Sequence, residues 1–126
     1  MIARTPGKQG FPREARLLRR ASYDQLLRNP EYVARVGGLR ALVRENHRGH
    51  PRLGIMAPKR HLRRAVDRSR VKRLLRESFR TSVPADLGVD VVVGVTRDIN
   101  SQSNKAVFRQ LRQIWQRIQD RSCRSS

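Results

Sequence analysis

The chain has 126 residues, enough for one compact domain with a modest core. Lys and Arg number 29 against 10 Asp and Glu, a formal charge of +19, while 37% of residues are hydrophobic and 5% aromatic, so the core must be mostly aliphatic. A field of that size opposes compaction unless a polyanion offsets it, a single cysteine excludes a disulfide framework or a cysteine-built zinc site, and no apolar run reaches the roughly 18 residues that span a bilayer.

Residues 1–10, MIARTPGKQG, are polar, lack the apolar stretch of a secretory signal and read as a flexible basic lead, so the chain is expected in the cytoplasm. In FPREARLLRR, Phe11, Leu17 and Leu18 are candidate anchors. SYDQLLRNP carries Tyr23, Leu26 and Leu27 at the spacing of one helical face. Ser22 stands in N-cap position with Gln25 three residues on, and Asn29-Pro30 ends the helix. YVARV alternates as a short strand. Gly37-Gly38 separates it from LRALVRE (Leu39 to Glu45), and NHRGHP separates that from RLGIMA (Arg52 to Ala57). The loop between these last two suggests an antiparallel hairpin.

PKRHLRR is an irregular basic connection, and DRSRVKRLLRESFR (Asp67 to Arg80) is a helix. TSVPADLG is a loop. VDVVVGVTR (Val89 to Arg97) is nearly continuous valine, the mark of a strand covered on both faces. DINSQSN is a turn able to supply an N-cap. Ala106 to Ile118 form the last helix, with Val107, Phe108, Leu111, Ile114, Trp115 and Ile118 on its core side. Residues 120–126 read as a flexible tail. The order is αβββαβα, a single α+β domain over residues 11–119 with about four strands and three helices.

The helix from Asp67 carries the chemistry. At 100° per residue, Val71, Leu74, Leu75 and Phe79 fall within an arc of about 140°. Arg70, Lys72, Arg73, Arg76 and Arg80 all fall outside it. Between Lys59 and Arg80 ten basic residues face two acids. A solvated face ordinarily mixes signs, because like charges at i, i+4 destabilise a helix. Here Arg68, Lys72, Arg76 and Arg80 form an uninterrupted i, i+4 ladder of one sign, which suits a nucleic-acid backbone. A strand and a long loop precede this helix, unlike a helix-turn-helix module, so a structured RNA fits better than duplex DNA.

No protein active site is legible. Asp90 and Asp98 lie eight residues apart along a strand, about 26 Å, too far for a carboxylate pair. His47 and His50 flank a glycine in a loop without converging ligands, so no protein metal site is expected. Neither a Ser-His-Asp order, a P-loop nor a glycine fingerprint occurs.

The stretch HPRLGIMAPKRHLRRAVDRSRVKRLLRESFR (His50 to Arg80) resembles the signature region of the bacterial ribonuclease P protein family. There a strand ends in a basic pair, a short loop follows, and a helix opens with Arg-Asn-Arg and continues through basic residues to a RESFR-like end. FPREARLL with SYDQLLRNP resembles the family's first segment, and VDVVVGVTR with the Trp-bearing helix its last strand and helix. The resemblance spans roughly residues 10 to 118 in the same order. It implies the small subunit of a ribonucleoprotein endonuclease that hydrolytically removes the 5′ leader of precursor tRNA, with catalysis by the RNA subunit and its Mg2+ and no catalytic residue on the protein. It implies docking of that RNA on Arg68, Ser69, Arg70, Lys72, Arg73 and Arg76, and a leader cleft with Tyr23, Leu27, Lys59 and Arg60. It further implies a protein monomeric in a 1:1 complex, with a left-handed βαβ crossover against the usual rule.

Three positions depart from the family pattern. Ser69 stands where asparagine is usual, shrinking an amide to a hydroxyl. Leu27 replaces a frequent aromatic, removing a stacking surface of about 1–3 kcal/mol per base. Pro58 deletes an N–H just before the basic pair. The alternative in the same charge class is a structural RNA-binding protein of the ribosomal type without a role in tRNA processing. A DNA-binding regulator would instead read a duplex sequence.

Overall fold

A computed structural model describes residues 20–125, with side chains from residue 23 to residue 121. The anchors Phe11, Leu17 and Leu18, and residues 1–10, lie outside that range. The elements are α1 (Arg20–Arg28), β1 (Tyr32–Val36), β2 (Leu39–Glu45), β3 (Arg52–Met56), α2 (Ala65–Ser82), β4 (Val89–Val95) and α3 (Asn104–Ser125). This is the order read from the sequence: three helices and one four-stranded mixed sheet.

The strands lie in the order β1-β2-β4-β3. β1–β2 and β2–β4 are antiparallel and β3–β4 is parallel. The expected hairpin between β2 and β3 therefore does not form. The hairpin is β1–β2, closed through Gly37, whose φ of +57° suits glycine. β4 lies between β2 and β3, where its run of valines is covered on both faces and paired along both edges. Val91 and Val93 face one layer and Val92 the other. The longer loop after β2 lets β3 swing to the far edge; Asn46 ties it down, its amide donating to His50 O at 3.0 Å and to Asp90 at 2.8 Å.

The larger core lies under α2 and α3. Leu39, Ala41 and Val43 of β2 and the odd-numbered valines of β4 meet Val71, Leu74, Leu75 and Phe79 of α2 and Val107, Leu111, Ile114, Trp115 and Ile118 of α3. Trp115 is core, as expected. Its indole N–H donates to Ser78 Oγ at 2.7 Å, and its ring meets Phe79 edge-on with centroids 5.5 Å apart. The opposite layer is thinner: Leu26 of α1 closes on Leu42 and Val92, with Tyr23 and Val33 alongside.

Helix limits differ from the sequence reading where partners lie far away in the chain. α1 already includes Arg20, so Ser22 sits inside the helix and not at its N-cap. α2 begins two residues before Asp67. α3 begins at Asn104, with Ser103 Oγ accepting from Ala106 N at 3.1 Å, and continues beyond Ile118 to Ser125. Arg117 and Arg121 support those extra turns by donating to the carbonyls of Arg35 and Glu31, and Arg121 lies over the Tyr32 ring.

The one acid inside the valine strand has a built partner. Asp90 accepts two bonds from Arg52, at 2.8 and 2.7 Å, with both side chains only 11% exposed. Replacing Asp90 by Ala strands a nearly buried guanidinium and one Asn46 donor. The expected loss is about 3–5 kcal/mol in urea unfolding, with Arg52→Met plus Asp90→Leu recovering most of it.

Candidate nucleic-acid interface

α2 is built as a two-sided rod. Its apolar seam is anchored in the core, and Leu62, fully buried just ahead of it, pins the connection from β3. That connection turns on Pro58, whose carbonyl accepts from His61 N and Leu62 N, each at 3.1 Å. Pro58 thus keeps its acceptor role although it has no N–H. Lys59 and Arg60 stand exposed at the turn.

The first turns of α2 are held by charge. Arg64 donates to both carboxylate oxygens of Asp67, at 3.1 and 3.3 Å, and Asn100 donates to the same side chain at 3.2 Å. An acid in the first turn also suits the positive end of the helix dipole. The hydrogen bonds from Arg64 hold the Asp67 carboxyl below the ordinary aspartate range, and the same bonds hold the Arg64 guanidinium above its own.

The six residues expected to meet RNA divide into two groups. Arg68 donates through Nη1 to the carbonyls of Leu62 and Arg63, at 2.9 and 3.0 Å. Arg70 donates through Nε to Asn104 Oδ1 at 2.8 Å and through Nη2 to Gln102 O at 2.6 Å. These two arginines are turned onto the protein's own acceptors and fasten the start of α2 to its neighbours. A guanidinium has five donors, so Nε and Nη2 of Arg68 and Nη1 of Arg70 keep theirs. Lys72, Arg73 and Arg76 have no carboxylate partner among the described residues, and Ser69 is exposed. No spacing rule signals the bonds of Arg70, because its partners lie more than thirty residues downstream.

Tyr23 and Leu27, expected to meet the leader, lie across the sheet from α2. Tyr23 is half-buried over Gly54, where an added Cβ would stand 2.5 Å from the Tyr23 hydroxyl. That hydroxyl accepts from Ile55 N at 3.3 Å. Tyr23 is thus neither fully core nor free: its position is set and part of its surface is open. Leu27, one turn on, is 42% exposed and Met56 of β3 is 39% exposed. α1 lies over β2 and β4, and Tyr23 reaches from it over Gly54 of β3, leaving Met56 exposed beyond. Lys59 and Arg60 sit where the chain leaves β3 for α2, so they join the α1 side of the sheet to the α2 side.

The chain thus carries open cations on one layer and, on the other, a partly exposed aromatic and aliphatic strip of Tyr23, Leu27 and Met56 beside α1. Asp90, set aside as a catalytic acid, is structural, and Asp98 closes a turn by accepting from Asn100 N at 2.8 Å. No group of three or more His, Cys, Asp or Glu converges among the described residues. No helix there is long and apolar enough to cross a membrane.

Comparison with known proteins is consistent across sequence and structure. The Ribonuclease P family model matches residues 11–119. The ribonuclease P protein component of Halorhodospira halophila is 42% identical over 116 residues, 92% of this chain and 95% of that protein. That of Chromohalobacter salexigens is 40% identical over 111 residues, 88% of this chain and 87% of that one. The structure of the ribonuclease P protein from Thermotoga maritima superposes with a TM-score of 0.69 at 24% identity, covering 81% of this chain and 96% of the other. The Staphylococcus aureus ribonuclease P protein gives 0.70 at 21% identity, covering 82% and 94%.

The Arg64–Asp67 pair makes a pH prediction. Asp67 has a lowered folded-state value, so its contribution is present above the unfolded value of about 3.9. It is lost as pH falls through the lower folded value. In a carbon-detected NMR titration the Asp67 midpoint lies below the ordinary range and moves up in Arg64→Gln; equal midpoints in the two proteins would show that the pair does not bind the proton as described.

Proposed function

This chain belongs to the ribonuclease P protein family, whose holoenzyme is an RNA-containing endoribonuclease, and from that premise we propose that it binds the catalytic RNA through α2 and the 5′ leader of precursor tRNA along the Tyr23–Leu27–Met56 strip beside α1, the leader groove of this reading. The observation that carries this reading is the placement of Lys72, Arg73 and Arg76 on a rigid helix with no carboxylate partner among the described residues. Folding leaves those charges unneutralised, and a folded RNA backbone supplies the missing anions.

The division of labour follows from the chemistry of each group. Arg73 and its neighbours offer charge-assisted donors to phosphate oxygens. Arg68 and Arg70 act twice, holding the start of α2 in place and presenting their remaining donors. Tyr23, braced by the Gly54–Ile55 backbone, offers part of a ring to a base, and Leu27 offers apolar contact where stacking is absent. Lys59 and Arg60 bear on the leader's phosphates as it leaves the groove. Such contacts favour an extended strand and lower the repulsion between two RNAs.

Water activation and stabilisation of the leaving oxygen would come from magnesium held by the RNA. The described side chains show no converging ligand set, so no step at the metal is assigned to this chain. A single copy of the protein per RNA, acting in the cytoplasm, completes the proposal.

The decisive experiment mixes the full chain with its RNA subunit and a precursor tRNA at low magnesium. Leader removal is expected to rise well above the rate of the RNA alone. Binding without any such stimulation would favour a structural RNA-binding role of the ribosomal type.

Arg73→Ala and Arg68→Ala separate the two classes of arginine. Arg73→Ala is expected to flatten the salt dependence of RNA-subunit binding by about one unit, with thermal stability unchanged. Arg68→Ala should lower stability as well, by about 1 kcal/mol, because two carbonyls lose their donor. Equal melting temperatures for the two variants would contradict the anchoring role of Arg68.

A further inference from the structure

The function proposed above uses α2 and the α1 groove, yet α3 carries a second row of cations that neither employs. At 100° per residue, Lys105, Arg109, Arg112 and Gln116 fall within an arc of about 60°. All four are exposed. They lie on the flank of α3 nearer α2. On that side Trp115 meets Ser78 and Phe79, and Gln119 donates to Ser82 O at 3.3 Å. The other flank faces β1, where Arg117 and Arg121 donate to strand carbonyls.

The two helices run side by side in the same direction. Arg70 bonds Asn104 at their starts, Ser78 meets Trp115 midway and Ser82 meets Gln119 near the end of α2. In that register Lys105 is level with Arg70, Arg109 with Arg73 and Arg112 with Arg76. The paired rows are nearly free of acid: Asp67 is engaged by Arg64, Asp120 accepts from Gln116 at 3.0 Å, and Glu77 is the remaining carboxylate on either helix. Lys105, Arg109 and Arg112 have no ion pair or hydrogen-bonded side-chain partner among the described residues. Like charges at this spacing oppose the helix that carries them, and nothing within the described protein offsets them.

We propose that Lys105, Arg109 and Arg112 form a second phosphate-binding row, so that one backbone segment of the catalytic RNA lies along the α2–α3 seam and is held from both helices. This rests on the RNA-docking role proposed for α2 and extends it to a helix that the sequence marked only as core. The occupant is the RNA that meets α2, because the two rows are level and share one outer face. The leader groove lies beyond the sheet, on the side of α1.

The test is a salt titration of full-length protein binding to the RNA subunit alone, followed by fluorescence anisotropy. The variant Lys105→Gln, Arg109→Gln, Arg112→Gln is expected to flatten the slope of log K against log salt by about 2–3 units, at roughly 0.7–0.9 per phosphate contact. Arg117→Gln, on the opposite flank, should leave the slope unchanged. Arg109→Lys with Arg112→Lys should retain it. Should the triple variant fail to fold by circular dichroism, each single glutamine variant is expected to lower the slope by about 0.7–0.9. An unchanged slope overturns the proposal, as does a loss confined to precursor tRNA added to the assembled complex. Wild-type stimulation of leader cleavage is measured in the same preparation. Stimulation with an unchanged slope removes the α3 row alone, whereas absent stimulation removes the parent reading.

Discussion

A valine strand that must be covered on both faces organises this protein. β4 takes the interior of the sheet because Val91 and Val93 need one apolar layer and Val92 another. β2 and β3 complete its hydrogen bonds on either side, and the helices complete its burial. Once β4 is central, α2 and α3 lie on one face and α1 on the other. The two surfaces with functional potential are thereby separated by the thickness of the sheet, joined at the β3 edge by the Lys59–Arg60 turn.

Charge is then distributed over a frame that does not need it. The apolar seam of α2 orients the helix so firmly that its cations can stand together without neighbouring carboxylates. Ten acids cannot neutralise 29 basic residues, and several of those acids already have structural tasks. Asp90 holds Arg52, Asp67 holds Arg64, and Glu31 Oε1 accepts from Glu45 N. Each acid so engaged fixes a local turn or strand end and leaves the helix cations to an external polyanion. Assembly with RNA is, in this view, the step at which the electrostatic balance of the chain is completed.

Arginine serves two ends here, and composition does not distinguish them. Arg68 and Arg70 use part of their donor set on backbone carbonyls and an amide, while Arg73 stays open. The family pattern brings all three to one helix. The structure gives the first two a mechanical role, because their bonds fasten the start of α2 to Leu62, Arg63, Gln102 and Asn104. Ser69, exposed on α2, offers a hydroxyl where the family pattern has an amide.

The sequence by itself determined the element order, the amphipathic seam of α2, the doubly covered β4, the core position of Trp115 and the family. Each of these rests on local periodicity or on contiguous motif text, which a linear reading contains. Tertiary structure alone decided the parallel pairing of β3 with β4, the extension of α3 to Ser125, the Arg52–Asp90 pair and the carbonyl partners of Arg68 and Arg70. The antiparallel pairing of β2 with β3 was a reasonable local inference, and it failed because β4, arriving more than thirty residues later, competes for the same edges. These features depend on contacts between residues remote in the chain, whose geometry exists only after the core has closed.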